Sequence, residues 1–187
     1  TNFKLFSTTV SNISNPYYIY GVYVYCPSGT VSIYANEFKN WAATSASGYT
    51  IYGVYISGVS TLDFYNNLVH GFSNVAYYTY PIYIGGGTTN NIYSNSIYDI
   101  AYTGTSLYPT YGIYGGGGTT NNIYNNMIYD IRGPASTGGP GVTGIYISSG
   151  TSYNVYYNSV YLNYTSTSAS NSSTALYVSA TPSSVDL

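Results

Sequence analysis

The side chains of this chain that could do chemistry are few. Its acidic residues are Glu37, Asp63, Asp99, Asp130 and Asp186, its one histidine is His70, and its one thiol is Cys26. Asp99 and Asp130 hold the same place in two nearly identical stretches, GGGTTNNIYSNSIYDI at residues 85–100 and GGGTTNNIYNNMIYDI at residues 116–131. If these stretches lie side by side, the two carboxylates stand about 5 Å apart, one strand spacing, with Arg132 beside them. Carboxylates that close can share a proton or hold a cation, the raw material of proton abstraction and glycoside hydrolysis. A structural reading outweighs this one, because the two residues are copies of one duplicated position and Asp is a common strand-end turn residue. No catalytic residue, metal site or cofactor is therefore assigned, and the chain is read as a non-enzyme.

The remaining candidates are weaker. His70 takes the slot that Tyr98 and Tyr129 occupy in later copies, and without a second histidine it reads as an outward residue, not a ligand. The glycine runs at 85–87 and 115–118 lack the Lys-Ser/Thr ending and following helix of a phosphate loop, so they read as tight turns. A lone Cys26 excludes an intrachain disulfide and a cysteine-based zinc site. Asn12, Asn163 and Asn171 each open a glycosylation sequon, a weak signal in a chain rich in Asn, Ser and Thr.

Composition excludes whole classes of partner. With three Lys and Arg, five Asp and Glu, and a net charge of −2, the chain lacks the basic footprint that neutralises phosphates, so nucleic acid is not an expected partner. No apolar run approaches the roughly 20 residues of a membrane span. No secretion signal opens the chain at Thr1, so any such signal is expected to have been removed or to lie outside this span.

What the sequence does carry is a repeat. A first anchor, an apolar residue followed by Tyr, recurs at Val22-Tyr23, Val54-Tyr55, Ile82-Tyr83, Ile113-Tyr114, Ile145-Tyr146 and Leu176-Tyr177. A second anchor follows about ten residues on, at Ile33-Tyr34, Phe64-Tyr65, Ile92-Tyr93, Ile123-Tyr124 and Val155-Tyr156, with Leu5-Phe6 in the same register. Successive units are 28 to 32 residues long. Alternation of apolar residues with Tyr is the period-2 mark of strands, and the Gly, Asn and Ser clusters between them mark turns. Three short strands per unit fit, the third through segments such as Ile97 to Ile100. Loops of variable length, at 42–49, 73–80, 101–110, 133–142 and 163–173, separate the third strand from the next unit. Positional order of this kind also argues against a disordered low-complexity tract.

Two residues after each second-anchor Tyr stands an Asn, at Asn36, Asn67, Asn95, Asn126 and Asn158, with Thr8 in the opening half-unit. Stacked units would set these amides into a hydrogen-bonded ladder at a buried bend. The short strands, the Asn ladder and the coil near 30 residues together resemble the right-handed parallel β-helix repeat proteins of the pectate-lyase-like superfamily, in particular non-catalytic Tyr- and Asn-rich surface or fibre proteins of prokaryotes. The resemblance implies an all-β, single-stranded right-handed β-solenoid filling residues 1–187 as one domain, with about five complete coils, Val, Ile and Leu inside, and Tyr ladders outside. None of that superfamily's lyase or hydrolase motifs appears at matching positions, so no catalytic residue carries over.

The Tyr columns suggest function. Tyr23, Tyr55, Tyr83, Tyr114, Tyr146 and Tyr177 form one and Tyr34, Tyr65, Tyr93, Tyr124 and Tyr156 another, each an aromatic stripe about 25 Å long at strand spacing. Stripes of that size imply a partner. A second copy of the chain is the favoured one, making an extracellular or cell-surface structural protein that assembles into a filament, fibre or sheath. Carbohydrate is the alternative, making an adhesive or binding module, and a polysaccharide lyase or hydrolase is the least favoured reading. The segments 1–13 and 173–187 read as partial coils without caps, from which head-to-tail stacking is expected.

Overall fold

Period-2 patterning makes each strand bury one row of side chains and show the other, and winding the chain coil over coil brings the buried rows together. The computed structural model, which describes residues 2–137, 140–179 and 182–187, does this as a parallel β-solenoid of about six turns with no helix among the described residues. Thr1 in the opening half-coil, Gly138 and Gly139 in the loop expected over 133–142, and Ala180 and Thr181 in the closing segment lie outside them. First- and second-anchor strands build an 11-stranded sheet and third strands a 7-stranded one, with every strand pairing among the described residues parallel.

Both anchors and the third strand align coil over coil. Val22, Val54, Ile82, Ile113, Ile145 and Leu176 form one inward column. Leu5, Ile33, Phe64, Ile92, Ile123 and Val155 form the second. Val10, Phe38, Val69, Ile97, Ile128 and Val160 form the third. Most of these side chains are fully buried, each contributing about 1.5–3 kcal/mol by leaving water.

About five complete coils and the partial opening and closing segments, which pair as rungs of their own, make up the six turns. Two details depart from the expectation. In the first two full coils the first and second anchors run through single strands, Ile19–Tyr34 and Ile51–Tyr65, instead of short separate ones. The lumen is also not purely aliphatic, for Trp41, Phe38, Phe72, Tyr102 and Tyr153 are fully or almost fully buried in it.

Turning the corner between the second and third strands requires a left-handed residue in every coil. Ser7, Ala35, Asn66, Ser94, Asn125 and Tyr157 all adopt φ between 49° and 55°. Such a conformation costs a residue with a Cβ about 1–2 kcal/mol, so something must hold it, and the next residue along the chain does.

Candidate functional surface: stacked side-chain ladders

That next residue is the ladder Asn. Asn36, Asn67, Asn95 and Asn126 are buried, and each donates both its backbone N–H and its Nδ2 to the Oδ1 of the Asn one coil on, at 2.9–3.1 Å. Thr8 N–H starts the series on Asn36 Oδ1. The second Nδ2 hydrogen reaches back to a main-chain carbonyl of the preceding coil, as from Asn67 to Ile33 and from Asn158 to Ile123. Every polar atom of the amide is used, which is what makes a buried amide tolerable.

Two further amide rows escaped the sequence reading. Asn90 and Asn121 lie inside the solenoid, in register with Leu62 before them and Tyr153 after, and Asn90 Nδ2 donates to Asn121 Oδ1 at 2.8 Å. On the outer face of the same strands, Asn91 donates to Asp63, Asn122 to Asn91, and Asn154 to Asn122, at 2.7–2.8 Å. The consecutive pair Asn-Asn in the duplicated stretches was the signal: alternation sends one amide inward and its neighbour outward.

Beside the two anchor columns of tyrosines stands a third. In the second-anchor column, Phe6, Tyr34, Tyr65, Tyr93, Tyr124 and Tyr156 stack with centroids 4.9–5.3 Å apart and planes within 7°. The first-anchor column, Tyr23, Tyr55, Tyr83, Tyr114, Tyr146 and Tyr177, stacks at 5.0–5.3 Å. The unexpected third column, Tyr20, Tyr52, Tyr80 and Tyr111, stacks beside it and meets it edge to face, as in the Tyr52–Tyr55 pair at 5.0 Å and 90°. Strict alternation would send Tyr52 and Tyr55 to opposite faces. The glycine between them breaks the alternation: Gly53 and Val54 are both buried, and Gly53 has no room for a side chain, since a Cβ there would sit 2.3 Å from Pro81 O and 2.6 Å from the Phe72 ring.

Parallel stacking has a chemical consequence. Ring faces are spent on one another, so what a column offers the outside is a row of ring edges and hydroxyls about 5 Å apart. Tyr83, Tyr114 and Tyr146 are half-buried instead of fully outward, while Tyr23 and Tyr177 are exposed. Burial pushes the Tyr52, Tyr80 and Tyr111 phenols well above the usual tyrosine range, aided by neighbouring phenols, and pushes Tyr93 up to about 12 with Asp63 assisting. These hydroxyls remain protonated donors at any physiological pH.

Five of the eight charged residues, Glu37, Lys39, Asp99, Asp130 and Arg132, gather with His70 on the third-strand face. Lys39 Nζ donates to Glu37 Oε2 at 2.6 Å, and His70 Nε2 lies 3.1 Å from Glu37 Oε1, contacts that hold the Glu37 carboxyl below its ordinary range, Lys39 first. His70 heads a stack over Tyr98 and Tyr129, the outward slot assigned to it from sequence. Asp99 and Asp130 are brought together as the duplication implied, and Arg132 ion-pairs with both, its Nε 3.3 Å from Asp130 Oδ1. Both Asp residues take positive φ, 53° and 52°, at a bend where other coils place Asn12, Asn40 and Gly71. Their type is thus explained by backbone geometry, with a guanidinium already between them. No group of His, Cys, Asp and Glu that could hold a metal occurs among the described residues.

Compared with family models, curated proteins and solved structures, the chain matches none. Its function must therefore be argued from the ladders and the loops around them.

Proposed function

We propose that this chain is the solenoid body of an extracellular or cell-surface structural protein, whose copies associate side by side along the Tyr columns and stack head to tail into a filament, fibre or sheath. The kinship with non-catalytic Tyr- and Asn-rich surface proteins of the pectate-lyase-like superfamily belongs to this reading and rests on coil length, strands and Asn ladder. The observation that carries it is the edge-on row of phenols at about 5 Å. A partner that satisfies such a row along its whole length must repeat at the same spacing, and a second solenoid with the same rise does so. Tyr suits that contact, supplying rigid area and a hydroxyl that tolerates a wet rim. With three cationic and five anionic side chains in 187 residues, little charge opposes close approach of two copies.

Electron microscopy and sedimentation of the purified chain test this. Ordered assemblies are expected from the wild type, and Tyr65→Lys combined with Tyr124→Lys is expected to dissolve lateral contacts while leaving the strand-type circular dichroism unchanged. A wild type that stays monomeric at high concentration, or substituted protein that assembles normally, overturns the reading.

A further inference from the structure

The loops that join third strands to the next coil lie on one flank and are tied to one another by hydrogen bonds. Val75 N–H donates to Ala43 O and Thr103 N–H to Asn74 O, so loops of successive coils stack like the strands they join. Asn74, fully buried, ties its own loop to its neighbour: Nδ2 donates to Tyr49 O at 2.9 Å and Tyr78 O at 3.0 Å, while Oδ1 accepts from the N–H groups of Ala76 and Tyr77. The buried Tyr102 hydroxyl accepts from Ser106 N–H at 3.0 Å.

Between these loops lies a groove of about 530 Å³, its walls supplied chiefly by Tyr18, Ser47, Tyr77, Thr105, Ser106 and Tyr108. That volume suits a small-molecule ligand, for which clefts run from about 300 to 1,000 Å³. The groove is built by close approach: Gly48, at φ +83°, has Tyr77 where a Cβ would point, only 3.3 Å away. Its aromatic rings are arranged unlike those of the columns. Tyr77 and Tyr108 are tilted by 47°, and Tyr18 is 50% exposed, with Tyr49 meeting it edge-to-face and Tyr20 at a centroid distance of 6.5 Å. Half-exposed Tyr18 therefore keeps open ring surface beside the groove.

Ser47, Thr105 and Ser106 are exposed on the loops of the groove, and no charged side chain lines it. An uncharged cleft that combines open aromatic surface with hydroxyls matches a ligand whose ring faces are apolar, whose periphery is hydroxyl, and which bears no charge. We propose that this groove binds a short neutral oligosaccharide, its sugar faces against Tyr18 and Tyr77 and its hydroxyls against Ser47, Thr105 and Ser106. The site adjoins the third Tyr column where Tyr18 meets Tyr20, lies outside the two anchor columns, and does not depend on assembly of the chain.

Calorimetric titration of dilute protein with cellotriose, mannotriose and chitotriose, and with anionic trigalacturonate as the contrast, tests the proposal. Saturable binding of at least one neutral trisaccharide is expected, weakened at least about tenfold in Tyr18→Ala and in Tyr77→Ala. Tyr25→Ala, an exposed ring outside the groove, should bind as the wild type does. Should Tyr77→Ala loosen its loop, Ser47→Trp fills the groove from an exposed position without removing a buried contact, and should abolish binding at an unchanged melting temperature. Failure of all three neutral sugars to bind at millimolar concentration, equal binding of trigalacturonate, or binding that survives both Tyr18→Ala and Ser47→Trp would overturn it.

Discussion

In the coils over residues 19–74 the lumen is packed with aromatic rings, whereas in the duplicated stretches at 85–131 the same registers hold isoleucines and amides. Trp41 and Phe72 stack at 4.6 Å, and the positions aligned with Phe72 in the next coils are Ile100 and Ile131. Leu62 in the first region aligns with Asn90 and Asn121 in the second. The backbone registers persist through this exchange, as do the Asn ladder and the left-handed corner before it. Ladder and corner thus set the coil, and the lumen is filled with whatever volume fits. Neither filling is perfect: Trp41 Nε1 in one region and Asn90 Oδ1 in the other are buried without a hydrogen-bond partner.

The largest test of that division is at Trp41. Trp41→Ala should lower unfolding free energy by about 3–5 kcal/mol by leaving a cavity, while Trp41→Ile, which installs the residue type of the second region, should lose clearly less in a denaturant titration. Equal losses would mean that the two fillings are not interchangeable. Asn36→Leu and Asn95→Leu come next, each expected to lose about 1–3 kcal/mol as N–H and carbonyl groups of adjacent coils go unpaired. A silent Asn36→Leu would confine the ladder's control of register to the duplicated region.

Alkaline pH acts more gently, on a Tyr column that runs through both regions. Tyr80 and Tyr111 are held protonated by burial, so their folded pKa lies above the ordinary 10.0. Their stabilisation is complete below that value. It declines as pH rises past it, because unfolded phenols ionise while folded ones do not, by up to about 1.4 kcal/mol per residue per pH unit. Melting curves from pH 9 upward should therefore fall steeply, and less steeply in the Tyr80→Phe, Tyr111→Phe double variant. The smallest effect expected is a gain: Ala35→Gly and Ser94→Gly, at φ 54° and 55°, should each add about 0.5–1 kcal/mol by relieving left-handed strain, equally in both regions.

Much of this was readable in the sequence because solenoid stacking turns a repeat directly into contacts. The Asn residues at 36, 67, 95, 126 and 158 and the outward slot of His70 needed only the spacing. The Tyr20, Tyr52, Tyr80 and Tyr111 column did not follow from it, because a glycine or proline after each Tyr, half-buried at Gly21 and buried at Gly53, Pro81 and Gly112, breaks the alternation on which the reading depended. The inner Asn90–Asn121 row was hidden by polarity, since an amide in an apolar register reads as outward until its partner in the adjacent coil is known. The loop groove was invisible for a different reason. Its walls come from four loops, not all of one length, and nothing periodic relates Tyr18 to Tyr77 or Tyr108.

The outer amide row has a length written into its own chemistry. Each Asn in it gives a hydrogen to the coil before, from Asn154 to Asn122 to Asn91 and finally to Asp63, which has a carboxylate and so only receives. At the other limit Asp186 stands in register with Asn154 but has no N–H to hand on. An endless fold thereby carries a finite word, opened and closed by the exchange of one nitrogen for oxygen. Lengthening it is a matter of spelling: Asp186→Asn would supply the missing donor and let the row count one coil further.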